Sequence, residues 1–115
     1  MKITIYQKPT CTTCRKVNKI LEDSGIDFES VNYYIDPIPK AKLKELIQKM
    51  GIYPEELIRK HEDVYEELKL ADKKLSANEW IDYMEQYPDL IQRPIIEKGA
   101  KAILARPAER IEEIL

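Results

Sequence analysis

An α/β fold, with elements in the order βαβ, a helical middle section and then ββα, is what this 115-residue sequence predicts. Three observations carry that prediction. A strand-like run, Met1-Lys2-Ile3-Thr4-Ile5-Tyr6, hands over to a helical pattern at Cys11-Thr12-Thr13-Cys14. The break Asp36-Pro37-Ile38-Pro39 is followed by apolar residues at helical spacing. Near the end, Ile95-Ile96 and Ala102-Ile103-Leu104 are separated by a stretch containing Lys98-Gly99, the pattern of a β-hairpin.

After the first strand, Cys14, Val17, Ile20 and Leu21 fall on one face of a helix that Ser24-Gly25 closes with a residue able to take positive φ. Phe28 to Tyr34 reads as a second strand, parallel to the first through a right-handed crossover. Leu43, Leu46, Ile47 and Met50 mark an amphipathic helix ending at Gly51. Residues 54–70 read as short helical pieces around Leu57, Ile58, Tyr65 and Leu68. Ser76-Ala77-Asn78-Glu79 is a capping box opening a helix that uses Trp80, Ile81, Met84 and Tyr87, with Pro88 just past its end. Pro107 suits the first turn of a last helix with Ala108, Ile111, Ile114 and Leu115 inward. This order is that of a thioredoxin-like domain carrying a helical insertion at about residues 39–88, and a Cys-x-x-Cys at the first strand–helix junction is in keeping with it. With no repeat, low-complexity tract or linker, one domain over 1–115 is expected.

Composition narrows the function. Hydrophobic content of 43 % beside 35 % charged residues describes a globular chain with one core. Acidic and basic residues alternate to a net charge of −2, which argues against a nucleic-acid or other polyanion partner. No apolar run approaches the roughly 18 residues of a membrane span, and no signal-peptide pattern precedes Ile3, so a cytoplasmic protein is expected. There a Cys-x-x-Cys is more often catalytic or metal-binding than a structural disulfide.

Cys11 and Cys14 are the only cysteines. A helix N-terminus offers free N–H donors and partial positive charge, which stabilise a thiolate. A free thiol is only about 3 % ionised at pH 7, whereas a pKa near 6 makes it roughly 90 % ionised. Cys14 shares the inward face of Val17 and Leu21, while Cys11 sits at or just before the first turn. Cys11 is therefore expected as nucleophile and Cys14 as a buried resolving thiol, close enough to bridge. Structural zinc needs about four ligands, and two cysteines with one histidine, His61, do not supply them, so no metal is expected. His61, between Lys60 and Glu62, reads as a solvated surface residue.

Cys11-Thr12-Thr13-Cys14-Arg15-Lys16, Leu57-Ile58-Arg59-Lys60, Tyr65-Glu66-Glu67-Leu68, Gln92-Arg93-Pro94-Ile95-Ile96 and Ala105-Arg106-Pro107 occur in the order seen in one family. From Ile3 to Leu115 the chain resembles glutaredoxin-dependent arsenate reductases and their Spx-type relatives. The resemblance implies that Cys11 attacks arsenate while Arg59, Arg93 and Arg106 hold the oxyanion, with a cis peptide at Arg93-Pro94. It also implies no bound cofactor, with glutathione and glutaredoxin, or thioredoxin, as electron donor; a monomer is expected. The chemistry is coherent, because a tetrahedral anion suits a helix N-terminus and planar guanidinium forks. A lone arginine among 19 basic residues is most simply a surface charge; these three stand out because each lies in a matched motif. Arg15 is a secondary candidate, Thr12 and Thr13 can donate hydroxyls or cap, and Pro9 shapes the loop.

Two positions depart from the reductase pattern. Typical members have a serine or another residue where Cys14 stands, and a histidine where Gln7 stands. Paired cysteines resemble instead the Spx-type regulators, which sense oxidation and bind the RNA polymerase α subunit. Such regulators generally lack counterparts of Arg59 and Arg106 together; retention of both here favours the reductase.

Overall fold

In the computed structural model, which describes residues 2–115, the opening apolar run forms strand β1 (Ile3–Gln7) and a short loop leads into helix α1 (Thr12–Asp23). The 3.6-residue period places Cys14, Val17 and Leu21 on one face, and all three are fully buried. Gly25, at φ +67°, turns the chain out of the helix where a side chain would be strained. Strand β2 (Phe28–Asn32) pairs in parallel with β1, from Ile3 opposite Phe28 to Gln7 opposite Asn32. It stops short of Tyr34, the expected end, for a local reason. The Asn32 side-chain oxygen accepts from Tyr34 N (3.0 Å), and the Asn32 carbonyl accepts from Ile35 N and Asp36 N (3.0 and 2.9 Å). This Asx-type turn takes the backbone groups that a longer ladder would have used.

Strands β3 (Ile95–Lys98) and β4 (Lys101–Leu104) form the expected hairpin, and β3 pairs antiparallel with β1. The sheet order is β2-β1-β3-β4. Ile5 lies opposite Ile96, and with Ile3 they pack against Val17 and Leu21 of α1 and against Ala108, Ile111 and Ile114. The last segment, Ala108–Glu113, is a 3₁₀ helix rather than an α-helix. With three residues per turn, Ala108, Ile111 and Ile114 line the buried side, and Leu115 falls off it at 42 % exposure, contrary to the inward position expected for it. Residues 2–36 and 93–115 make one compact unit, a thioredoxin-like arrangement in a mixed α/β chain. Leu21→Ala would leave a cavity under α1, and a loss of about 2–5 kcal/mol in urea unfolding is expected.

Residues 37–92 make the second unit. Helix α2 (Lys40–Met50) buries Leu43, Leu46 and Ile47 and ends in the left-handed Gly51, as its sequence requires. Short pieces follow: a 3₁₀ turn at Pro54–Leu57, helix α3 (Asp63–Glu67) and a 3₁₀ turn at Leu70–Asp72. The capping box opens helix α4 (Ala77–Gln86). There Glu79 N donates to Ser76 Oγ (3.2 Å), and Ser76 N donates to Glu79 Oε1 (3.1 Å). Trp80, Ile81 and Met84 are buried, whereas Tyr87 is the C-cap, followed by a 3₁₀ turn at Pro88–Leu90. Among the described residues no helix is long and apolar enough to cross a membrane.

Candidate active site

Cys11 is the N-cap of α1, in extended backbone conformation (φ −76°, ψ 128°), and half-buried. Its position is set by the chain on both sides. Cys11 N donates to the Lys8 carbonyl (2.9 Å), and the Cys11 carbonyl accepts the first helical bond from Arg15 N (3.0 Å). The sulfur makes no full capping hydrogen bond, yet the backbone N–H of Cys14, one of the free first-turn donors, lies close enough to stabilise a thiolate. Cys14 is fully buried beneath it.

Arg93 stands at the entry to β3, just before a cis peptide to Pro94, and is only 7 % exposed. Its guanidinium lies within hydrogen-bonding reach of the Cys11 sulfur and of the Tyr33 side chain. Its Nη1 donates to the Tyr34 hydroxyl (3.4 Å), while its Nε is buried with no hydrogen-bond partner among the described residues. A buried orphan donor costs about 1–3 kcal/mol, a cost that functional sites tolerate.

These surroundings decide the charge state of each sulfur. Burial opposes ionisation of Cys11. The N–H and thiol of Cys14 and the Arg93 guanidinium outweigh it, bringing the pKa down to about 7. About half of the Cys11 sulfur is then thiolate at neutral pH. Cys14 goes the other way. Burial, then its contact with the Cys11 sulfur and that sulfur's charge, push it up to about 12. Neighbouring thiols in such different fields divide into an attacking anion and a neutral partner.

Of the residues singled out from sequence, Cys11, Cys14 and Arg93 converge in the first unit. Arg106 joins them indirectly. It is exposed, stands before a second cis peptide at Pro107, and its Nη1 donates to the Arg93 carbonyl (3.1 Å). Arg59 belongs to the second unit. There its backbone N donates to the Leu90 carbonyl (2.7 Å), and its Nε pairs with Glu62 Oε1 (2.8 Å). Arg15 is exposed, and its Nε donates to the Pro9 carbonyl (3.2 Å), so it fastens the loop rather than facing the sulfur. His61 is exposed. Among the described residues no three His, Cys, Asp or Glu side chains cluster as a metal site requires.

Sequence reasoning missed two supports. Gln7, 5 % exposed at the end of β1, bonds through its amide to Asn18 and Ser30, and Asn18 Nδ2 donates to the Cys14 carbonyl (2.8 Å). This polar link ties β1 and β2 to the first turn of α1. Tyr33 and Tyr34 are the second support; the available signal was two adjacent aromatics at the end of the expected strand and ahead of Pro37.

Comparison with known proteins points to one family. The chain is similar to an arsenate reductase of Escherichia coli strain K12, 40 % identical over 98 % of this chain and 80 % of the relative. It is also similar to an arsenate reductase of Neisseria meningitidis, 32 % identical over 99 % of this chain and 98 % of the relative. A solved structure of an arsenate reductase from Vibrio cholerae superposes with a TM-score of 0.95 at 34 % identity, covering 100 % of this chain and 98 % of that one. Residues 6–114 match the ArsC family as a whole, and on these grounds the chain belongs to the ArsC family.

Proposed function

We propose that this chain is a thiol-dependent oxidoreductase of the arsenate reductase type, with Cys11 as nucleophile. The observation that carries the reading is a half-buried sulfur at a helix N-cap with the buried Arg93 guanidinium beside it. The Cys11 thiolate attacks arsenic(V), a sulfur–arsenic bond forms, and one arsenate oxygen leaves as water. A second thiol then attacks the Cys11 sulfur. The sulfur–arsenic bond breaks, its electron pair stays with arsenic, and arsenic(III) departs as arsenite while a disulfide remains. Two thiols are oxidised and one arsenate is reduced. No bound cofactor is needed.

Arg93 and Arg106 of the first unit neutralise the oxyanion, since guanidinium forks match the spacing of its oxygens, and the resemblance of its motif is what puts Arg59 forward for the same role. Cys14 is the resolving thiol. Its high pKa is sustained in part by the neighbouring Cys11 charge, which disappears once that sulfur is bonded to arsenic. Glutathione with glutaredoxin, or thioredoxin, then regenerates the dithiol. The regulator reading, in which oxidation governs binding to the RNA polymerase α subunit, draws no support from the three relatives above, all named arsenate reductases.

The test is arsenite formation from arsenate with each donor supplied in turn. Wild type produces arsenite. Cys14→Ser loses about tenfold or more of its thioredoxin-driven rate, because no internal thiol completes the disulfide, and keeps activity with glutathione and glutaredoxin. No arsenite with either donor would overturn arsenate as substrate.

A further inference from the structure

Tyr33 and Tyr34 lie where β2 ends, on the turn that Asn32 holds. Because Asn32 pairs with Gln7, that turn starts beside the loop carrying Cys11. Tyr33 is 1 % exposed, and its ring lies 5.0 Å from that of Tyr34 at a tilt of 34°. Lys8 Nζ sits 4.7 Å above the Tyr34 ring, a cation–π contact to the ring's negative face. Tyr34 is thereby held from two sides, by the neighbouring ring and by the lysine of the cysteine loop. A phenol oxygen fixed in this way is a stationary acceptor for a guanidinium N–H.

We infer that Tyr33 and Tyr34 are positioning residues that aim the Arg93 guanidinium at Cys11, through the Tyr34 hydroxyl (3.4 Å from Arg93 Nη1) and the buried, ring-packed Tyr33 side chain. Arg93 gains from this because, among the described residues, its Nε has no hydrogen-bond partner, while the Cys11 sulfur lies within its reach. A guanidinium on a long side chain has many rotamers, and two phenols select the one that faces the thiol. Neither tyrosine touches the reacting atoms in this account; each acts through Arg93. The inference rests on the reading of Cys11 and Arg93 as the reactive pair, and it adds the device that holds them together.

The experiment compares the pH dependence of Cys11 alkylation by iodoacetamide in wild type, Tyr33→Phe, Tyr34→Phe and Arg93→Ala, with thermal unfolding of each. Phenylalanine keeps the ring and its packing, so folding is retained, and the half-buried Tyr34 serves alone if Tyr33→Phe unfolds. The expected result is an alkylation midpoint raised by about half a pH unit in each tyrosine variant, or about threefold slower reaction at pH 6. The shift in Arg93→Ala is expected to be larger. A merely structural tyrosine would lower the unfolding temperature and leave the midpoint in place. Unchanged midpoints in both tyrosine variants beside a raised one in Arg93→Ala would overturn the positioning role and leave the reactive pair standing. An unchanged midpoint in Arg93→Ala as well would overturn both.

Discussion

Cys11→Ser is expected to abolish arsenate reduction, lowering turnover by about 10³-fold or more, the scale of loss when a nucleophile that acts with its partners is removed. The hydroxyl is un-ionised at neutral pH and cannot form the disulfide that carries away two electrons, so both halves of the reaction stop. The fold survives the change. Cys11 is the N-cap of α1, and serine is among the residues preferred there, so the helix start is kept or strengthened. Arsenite production measured beside thermal unfolding separates the two effects: activity is lost while the unfolding temperature holds. Retention of arsenite production in Cys11→Ser would place the chemistry elsewhere.

Arg93→Ala is expected to cost about 10²-fold in kcat/KM, through two effects that add. The guanidinium is one of the groups holding the Cys11 pKa near 7, so its removal raises that pKa and leaves less thiolate at neutral pH. It is also the arginine in reach of the sulfur, and an arsenate at Cys11 would lose a charge-assisted donor. Raising the pH restores the first loss and leaves the second. A rate profile over pH 6–9 therefore divides them: the variant closes part of the gap to wild type at high pH, and the remainder is oxyanion binding.

How much of this was legible beforehand follows from the range of each interaction. The inward face of α1 was readable because Cys14, Val17 and Leu21 obey the 3.6-residue period, and that spacing separated a buried sulfur from a half-buried one. The Ser76–Glu79 box was readable because both of its bonds lie within one turn. The final segment was harder. Its residues recur every three positions, a period that serves a 3₁₀ helix as well as an α-helix, and Leu115 is the residue that distinguishes them. β2 was predicted too long because its β-branched and aromatic residues continue past Asn32, whose side chain ends the ladder.

At the site, the arginine motifs pointed to charge and not to its arrangement. The bond from Arg106 to the Arg93 carbonyl joins two loops on either side of the hairpin, and that from Arg93 to Tyr34 spans 59 positions. Contacts of that length have no local signature. Arg59, flagged by its motif, pairs in its own unit with Glu62, a local contact three positions on. The sequence marks Gln7 only by what it replaces, whereas in the structure its amide is the hub between β1, β2 and α1.

The central claim is that the Cys11 sulfur is held as an anion by first-turn backbone donors and the Arg93 guanidinium. Its most direct test is the rate of Cys11 alkylation as a function of pH in the wild-type protein, with the modified cysteine located by mass spectrometry. The account predicts a single titration with its midpoint near pH 7, and no reaction at Cys14, whose thiol is buried and pushed up to about 12. A midpoint at the ordinary thiol value of about 8.5 or above, or preferential labelling of Cys14, would contradict it.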